Sequence, residues 1–287
     1  MKISTEIASI AHHAGEEKAI EYCAKAGFDA WDFSMFAMCR YDWQTGALHA
    51  STHPLAGSNY AAFAKRLRKA GEGMGIHCNQ SHAPFPTYVQ PIRDHLKRAI
   101  ECTAIAGGSI CVIHPGNDNS VQANADMYHE LLPFAKEHNV KIATENMWDW
   151  DEEKGHSSFA ACATSESFLE HLNTVNDPYF VACLDLGHAE MKGSGSGAVN
   201  MIHALGHHLQ ALHIHDNDLL NDSHQLPFTM QMDFDAIVKA LRDIHYQGYF
   251  TLEADTFLHN RDESNVYAGV VEMAAAARKL ADMFENK

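Results

Sequence analysis

Eight short apolar runs, each too hydrophobic to keep one face in water, alternate along the chain with stretches of helical period. The runs cover residues 2–10, 28–34, 75–81, 108–114, 140–145, 180–186, 210–215 and 249–254. Strands buried on both faces belong to a parallel sheet covered by helices, because only crossover connections bury both sides. Between them, apolar residues recur every three or four positions, as in Ile92, Leu96 and Ile100, in Phe168, Leu172 and Val175, or in Val270, Met273, Ala277 and Leu280. Glu16 and Glu17, Ser165 before Phe168, and Asp233 before Phe234 mark helix starts. Eight strand-helix units close naturally into a (β/α)8 TIM barrel, an α/β fold, as one domain over residues 1–287. The competing open sheet is weakened by the lack of a Gly-rich dinucleotide fingerprint after the first run. The segment 193-GSGSG-197 reads as a plain flexible linker.

Composition narrows the function classes. The chain carries 21 Lys and Arg against 37 Asp and Glu, a formal charge of -16, so a nucleic acid partner is not expected. Its 7 cysteines form no CxxC pair and lie within apolar patterns, which fits small buried hydrophobes in a reducing compartment. The first residues, MKISTEIASIAHH, have no basic segment followed by a long apolar one, and no run is long enough to span a bilayer. A cytoplasmic protein without a membrane partner is expected.

The ends of the runs carry the chemistry. Catalytic groups of a TIM barrel sit at the C-terminal ends of its strands. Here those positions hold His82, His114, Glu145, Asp185 with His188, His213 with His215, and Glu253; Asp222 and His224 follow the seventh run. A lone buried His or a lone Glu is more often a satisfied structural residue than a ligand. Carboxylates from three of four successive strands, converging at one low-dielectric mouth, would repel unless a cation sat among them. A divalent metal is therefore expected. Mixed His and carboxylate donors suit Zn, Mn, Co or iron better than calcium, and Mg least well.

Together the motifs 82-HAPF-85, 113-IHPG-116, 144-TENM-147, 184-LDLGHA-189, 212-LHIHDND-218, 222-DSH-224 and 251-TLEA-254 resemble those of the xylose isomerase-like TIM barrels. That family includes sugar and sugar-phosphate isomerases and epimerases and the apurinic-site endonucleases. The resemblance implies one metal held by Glu145, Asp185, His213 and Glu253, with His215 the competitor of His213. Its endonuclease branch adds ligands matching His82, His114, His188, Asp222 and His224, so more than one ion is possible on that pattern. A homodimer is implied by the family alone.

Three features favour carbohydrate chemistry: the acidic balance, a short match to the endonucleases beyond 184-LDLGHAEM, and aromatic loops suited to sugar faces. These aromatics are Phe33, Phe36, Tyr41 and Trp43 after the second run, and Trp148 and Trp150 after the fifth. Trp148 and His215 are the expected substrate contacts. The expected activity is isomerisation or epimerisation of a sugar or sugar phosphate through a metal-stabilised enediolate, with Glu145 and Glu253 as acid and base and His188 on a substrate oxygen. The alternatives are a zinc phosphodiesterase of the endonuclease type and a lyase resembling inosose dehydratase.

Overall fold

The structure, a computed structural model, describes residues 1–286. Eight parallel strands form the barrel: β1 (Ile3–Thr5), β2 (Ala30–Ser34), β3 (His77–His82), β4 (Ile110–Val112), β5 (Lys141–Glu145), β6 (Phe180–Asp185), β7 (Leu209–His213) and β8 (Phe250–Leu252). Regular pairing runs β2-β3-β4-β5-β6-β7, and β8 pairs with β1 through Ile3–Phe250, Ser4–Thr251 and Thr5–Leu252. Single parallel bridges, Glu6 to Asp32 and Ile214 to Leu252, close the two remaining seams. The barrel is thus complete, although three of its strands are only three residues long.

Eight helices follow the strands in turn: α1 (Glu16–Ala26), α2 (Tyr60–Gly73), α3 (Leu96–Ala106), α4 (Val121–Glu137), α5 (Ser165–Val175), α6 (Ala198–Leu205), α7 (Phe234–Asp243) and α8 (Val266–Glu285). Their starts follow from local chemistry. The side chains of Ser120, Thr164 and Asp233 each accept from a backbone N–H in the first turn of the next helix. Gly27, at φ 99°, ends α1 in the left-handed region that a Cβ would disfavour. None of these described helices is long and apolar enough to cross a membrane.

The core is divided by the two-residue period of the strands. One face of each strand packs with the helices in a large outer layer, where Trp31, Phe33, Phe168 and Phe250 are fully buried. A second, smaller cluster consists of Val112, Ala143, Val181, Cys183 and Ala211. His114, Glu145, Asp185 and His213 stand two residues beyond Val112, Ala143, Cys183 and Ala211 and so on the same face, and an apolar layer inside the barrel underlies the polar strand ends.

The structure departs from the sequence reading in three places. Residues 8–14 are helical, so the first strand stops at Thr5 rather than running to residue 10. Two β-hairpins stand above the barrel, Arg40–Tyr41 with Leu48–His49 and Asp149–Asp151 with His156–Ser158. The segment 193–197 is not a loose linker. A Cβ on Gly193 would lie 2.2 Å from the Ser157 carbonyl oxygen, one on Gly195 2.1 Å from that of Ala163, and Ser194 is buried. The glycines are there because backbone passes against backbone.

Candidate metal centre and cavity

Glu145, Asp185, His213 and Glu253 leave the ends of β5 to β8, and one donor atom from each lies within 4.8 Å of the others. Four donors at about 2.0–2.2 Å around a tetrahedral ion would be roughly 3.3–3.6 Å apart, so closing on an ion takes about 1.5 Å at most in the widest pair. His213 presents Nδ1 to Glu145 Oε1 at 2.8 Å and to Glu253 Oε2 at 3.3 Å. Asp185 uses Oδ1 to accept from the His188 backbone N–H (2.7 Å) and from His215 Nε2 (3.1 Å), leaving Oδ2 buried and without a partner. An orphaned carboxylate oxygen aimed into a cluster of donors is what a cation would satisfy.

Two groups flank this one, and the first shares Glu145 with it. His82 and His114 bring their Nε2 atoms within 2.8 Å of each other, and within 3.3 and 3.0 Å of Glu145 Oε2. On the other side stand His188, His215, Asp222 and His224. The Nδ1–H of His188 donates to the Asn146 carbonyl and that of His224 to the Glu253 carbonyl. In the neutral rings both Nε2 lone pairs then face Asp222 Oδ2, at 3.4 and 3.2 Å. Lone pairs opposed to a carboxylate repel, and only protons or a cation between them make the arrangement favourable.

The titration behaviour of the bare site carries the same imbalance. Burial pushes the Glu145 pKa up, but His213, His114 and His82 outweigh it and hold the carboxyl well below its usual range. Burial lifts Glu253 well above that range; Glu145 adds to the lift, while His213 offsets part of it. Burial pulls His188 down, yet Asp185 and Asp222 carry it to about 10, and His82, where burial dominates, falls to about 4. Without a cation, one of the two glutamates must stay protonated. The site therefore fits a divalent ion by its donor types, its separations and its unsatisfied atoms.

Several residues that hold this arrangement were not visible in the sequence reading. Asn146 makes a reciprocal pair with the Asp185 backbone, donating to its carbonyl (2.9 Å) and accepting from its N–H (2.8 Å). Asp216, fully buried, accepts from the N–H groups of Asn217, Met230 and Met232 and pins the loop that carries Asp222 and His224. His224 itself has φ 42°, a left-handed backbone that a non-glycine residue adopts at a cost. Asp32, in the middle of β2, is 1% exposed, has no hydrogen-bond partner on either oxygen, and lies 3.6 Å from His213 Nε2. Glu6, just past β1, is buried as well. Glu6 is a carboxylate at a strand end, as elsewhere in the site, but the apolar residues after it conceal that end, and Asp32 lies within its strand.

The cavity above these groups has a volume of about 590 Å³. Glu145, Glu253, His82, His114, His188, Asp222 and His224 line it, with Trp148 and Trp150 from the hairpin after β5 on one wall. Trp148 also donates through Nε1 to Asp222 Oδ2 at 3.2 Å. His215 does not reach the cavity. It is fully buried, stacks on His224 at 4.0 Å and donates to Asp185, so a direct contact with substrate is replaced by a place beneath the ligands.

The description of the xylose isomerase-like TIM barrels fits residues 20–283. The chain belongs to that family. Among relatives, the Methanocaldococcus jannaschii protein MJ1311 is 23% identical over 259 residues, which span 82% of this chain and 78% of that one. Among solved structures, a D-tagatose 3-epimerase-like protein superposes with a TM-score of 0.72 at 18% identity, covering 100% of this chain and 99% of the other. The IOLI protein with a bound zinc atom gives 0.69 at 19% identity, with the same coverage. At these identities the structural likeness establishes the fold.

Proposed function

We propose that this chain is a divalent-metal-dependent sugar isomerase or epimerase that moves a proton on the carbon next to a carbonyl. The observation that carries this reading is the meeting of Glu145, Asp185, His213 and Glu253 at the floor of an aromatic-walled cavity. Family membership and the sugar epimerase-like and zinc-bound neighbours point the same way. Those four residues would hold the ion, which when bound polarises the carbonyl and makes the neighbouring C–H more acidic.

The protein groups divide the remaining work. Glu145 is engaged by three imidazoles, whereas Glu253 contacts only His213 among them, at 3.3 Å, and keeps some exposure to the cavity. Glu253 is thus the freer carboxylate to take the proton, with Glu145 returning one from the other side. His188, on the cavity surface with its Nδ1–H committed to Asn146, offers Nε2 to a substrate hydroxyl. Trp148 and Phe85 line the walls, and a bound substrate closing against these apolar faces would displace water from the floor.

A second reading has its own observation. The groups His82–His114–Glu145 and His188–Asp222–His224 flank the central four, which is the layout expected of a multi-metal phosphodiesterase. Against it, no Lys or Arg is among the residues that line the cavity. The deciding experiment is elemental analysis of the purified protein, with proton exchange from solvent into a panel of ketoses measured beside cleavage of an abasic duplex. Metal together with exchange supports the isomerase; duplex cleavage without exchange overturns it in favour of the phosphodiesterase.

A further inference from the structure

The cavity continues outward beyond the candidate metal centre, and its outer part has a different chemistry. Trp43, from the hairpin 40–49, and Tyr88, from the loop after β3, both line it and are 62% and 58% exposed. Trp43 lies 6.0 Å from Phe85 and 5.0 Å from Tyr41, ring to ring, and Tyr41 meets Tyr88 through their hydroxyls at 3.3 Å. Trp150, from the hairpin 149–158, lines the same cavity. Indole and phenol rings left in water above a polar floor form an apolar platform with nothing from the described chain covering it.

Charge selects among occupants. The lining includes the carboxylates of Glu145, Asp149, Asp222, Glu253 and Asp255 and no Lys or Arg. A phosphate or carboxylate on the outer part of a substrate would find repulsion and no cation of the protein to offset it. At about 590 Å³ the space falls within the range of about 300–1,000 Å³ that takes drug-sized ligands, larger than one sugar ring on the floor requires.

We infer that the outer aromatic platform is a second subsite, which binds the uncharged non-reducing ring of a disaccharide while the reducing sugar, which supplies the carbonyl, lies on the floor. This rests on the proposed sugar chemistry of the floor. The apolar C–H face of that ring stacks on Trp43 and Tyr88, and the neutral ring avoids the carboxylate rim.

The test is calorimetric titration of the metal-loaded full chain with free ketohexoses and aldohexoses, with disaccharides that carry each of them at the reducing end, and with hexose 6-phosphates beside them. For at least one sugar, the disaccharide is expected to bind about tenfold tighter than the free hexose of its reducing end. In Trp43→Ala and Tyr88→Ala that ratio should fall towards unity, and the phosphates should bind no better than the free hexoses. Free hexoses that bind with no second-ring gain in their disaccharides, or a gain that survives both substitutions, would overturn the subsite and leave the floor chemistry standing. If nothing in the panel binds, the sugar reading fails with it. A change in sedimentation of Trp43→Ala with an unchanged ratio would mean that a second copy of the chain covers the platform, which also overturns the inference.

Discussion

Replacing Asp32 by Asn should have opposite effects on two quantities that usually move together. Asp32 is buried with both oxygens unpartnered, and the nearest group able to donate to it is His213 Nε2 at 3.6 Å. If Nε2 carries its hydrogen towards Asp32, Nδ1 presents its lone pair to the centre between Glu145 and Glu253. Two full charges at 3.6 Å interact by about 5 kcal/mol at an effective dielectric of about 20. An imidazole bound to a metal carries only part of a charge, so that figure is a ceiling. Loss of such an outer partner typically weakens metal binding by about 10–100-fold, or roughly 1.4–2.8 kcal/mol. In the metal-free protein the same carboxylate is a buried charge without a hydrogen bond, and its removal should stabilise the fold by about 1–3 kcal/mol. Competition for zinc against a chelating indicator measures the first effect, and urea unfolding of the metal-free protein the second. Weaker zinc binding with higher metal-free stability is the expected pair. Zinc binding as tight as in the unaltered protein, or a fall in both quantities, would refute the reasoning.

Other expectations follow from the same geometry. Burial and Asp255 raise the Glu6 pKa from 4.5 to about 7, so its contribution to stability is full below pH 4.5 and is lost as pH rises through about 7; this amounts to about 3 kcal/mol. Glu6→Gln should flatten the pH dependence of the unfolding free energy in that window, and curves parallel to the unaltered protein would refute it. A Cβ on Gly187 would lie 2.0 Å from His215 Cε1, so Gly187→Ala should displace the ring from Asp185, cost about 1–3 kcal/mol in urea unfolding and lower metal content. His224→Ala should reduce the metal bound per chain after dialysis if the outer His–Asp group holds an ion; unchanged content on elemental analysis would make that loop purely structural.

Much of the site was legible because a strand that ends in a ligand ends its apolar run there. Glu145, Asp185 and His213 close β5, β6 and β7 and stand two residues beyond Ala143, Cys183 and Ala211 of the barrel interior. The same logic failed for β1 and β2. Glu6 was hidden because the apolar pattern runs on through IASI, which is the start of a helix rather than more strand. Asp32 was hidden because its run continues to Ser34, whereas the bridge to Glu6 shows that the ring of strand ends crosses β2 at Asp32. His215 shares its strand parity with His213, but β7 ends at His213, and the chain then turns so that His215 packs beneath His224. The hairpins 40–49 and 149–158 had no alternating pattern to announce them. Compactness at 193–197 could not be read from composition, since glycines that permit close approach look the same as glycines that permit motion.

Glu145 is divided between two neighbourhoods, Oε1 towards His213 and Oε2 towards His82 and His114. Two ions loaded there would have to share one carboxylate, and the arrival of either would alter the hold of the other, equally in both directions. Uptake would then be stepwise with unequal affinities, and the composition of the loaded protein would depend on how much metal the surroundings supply.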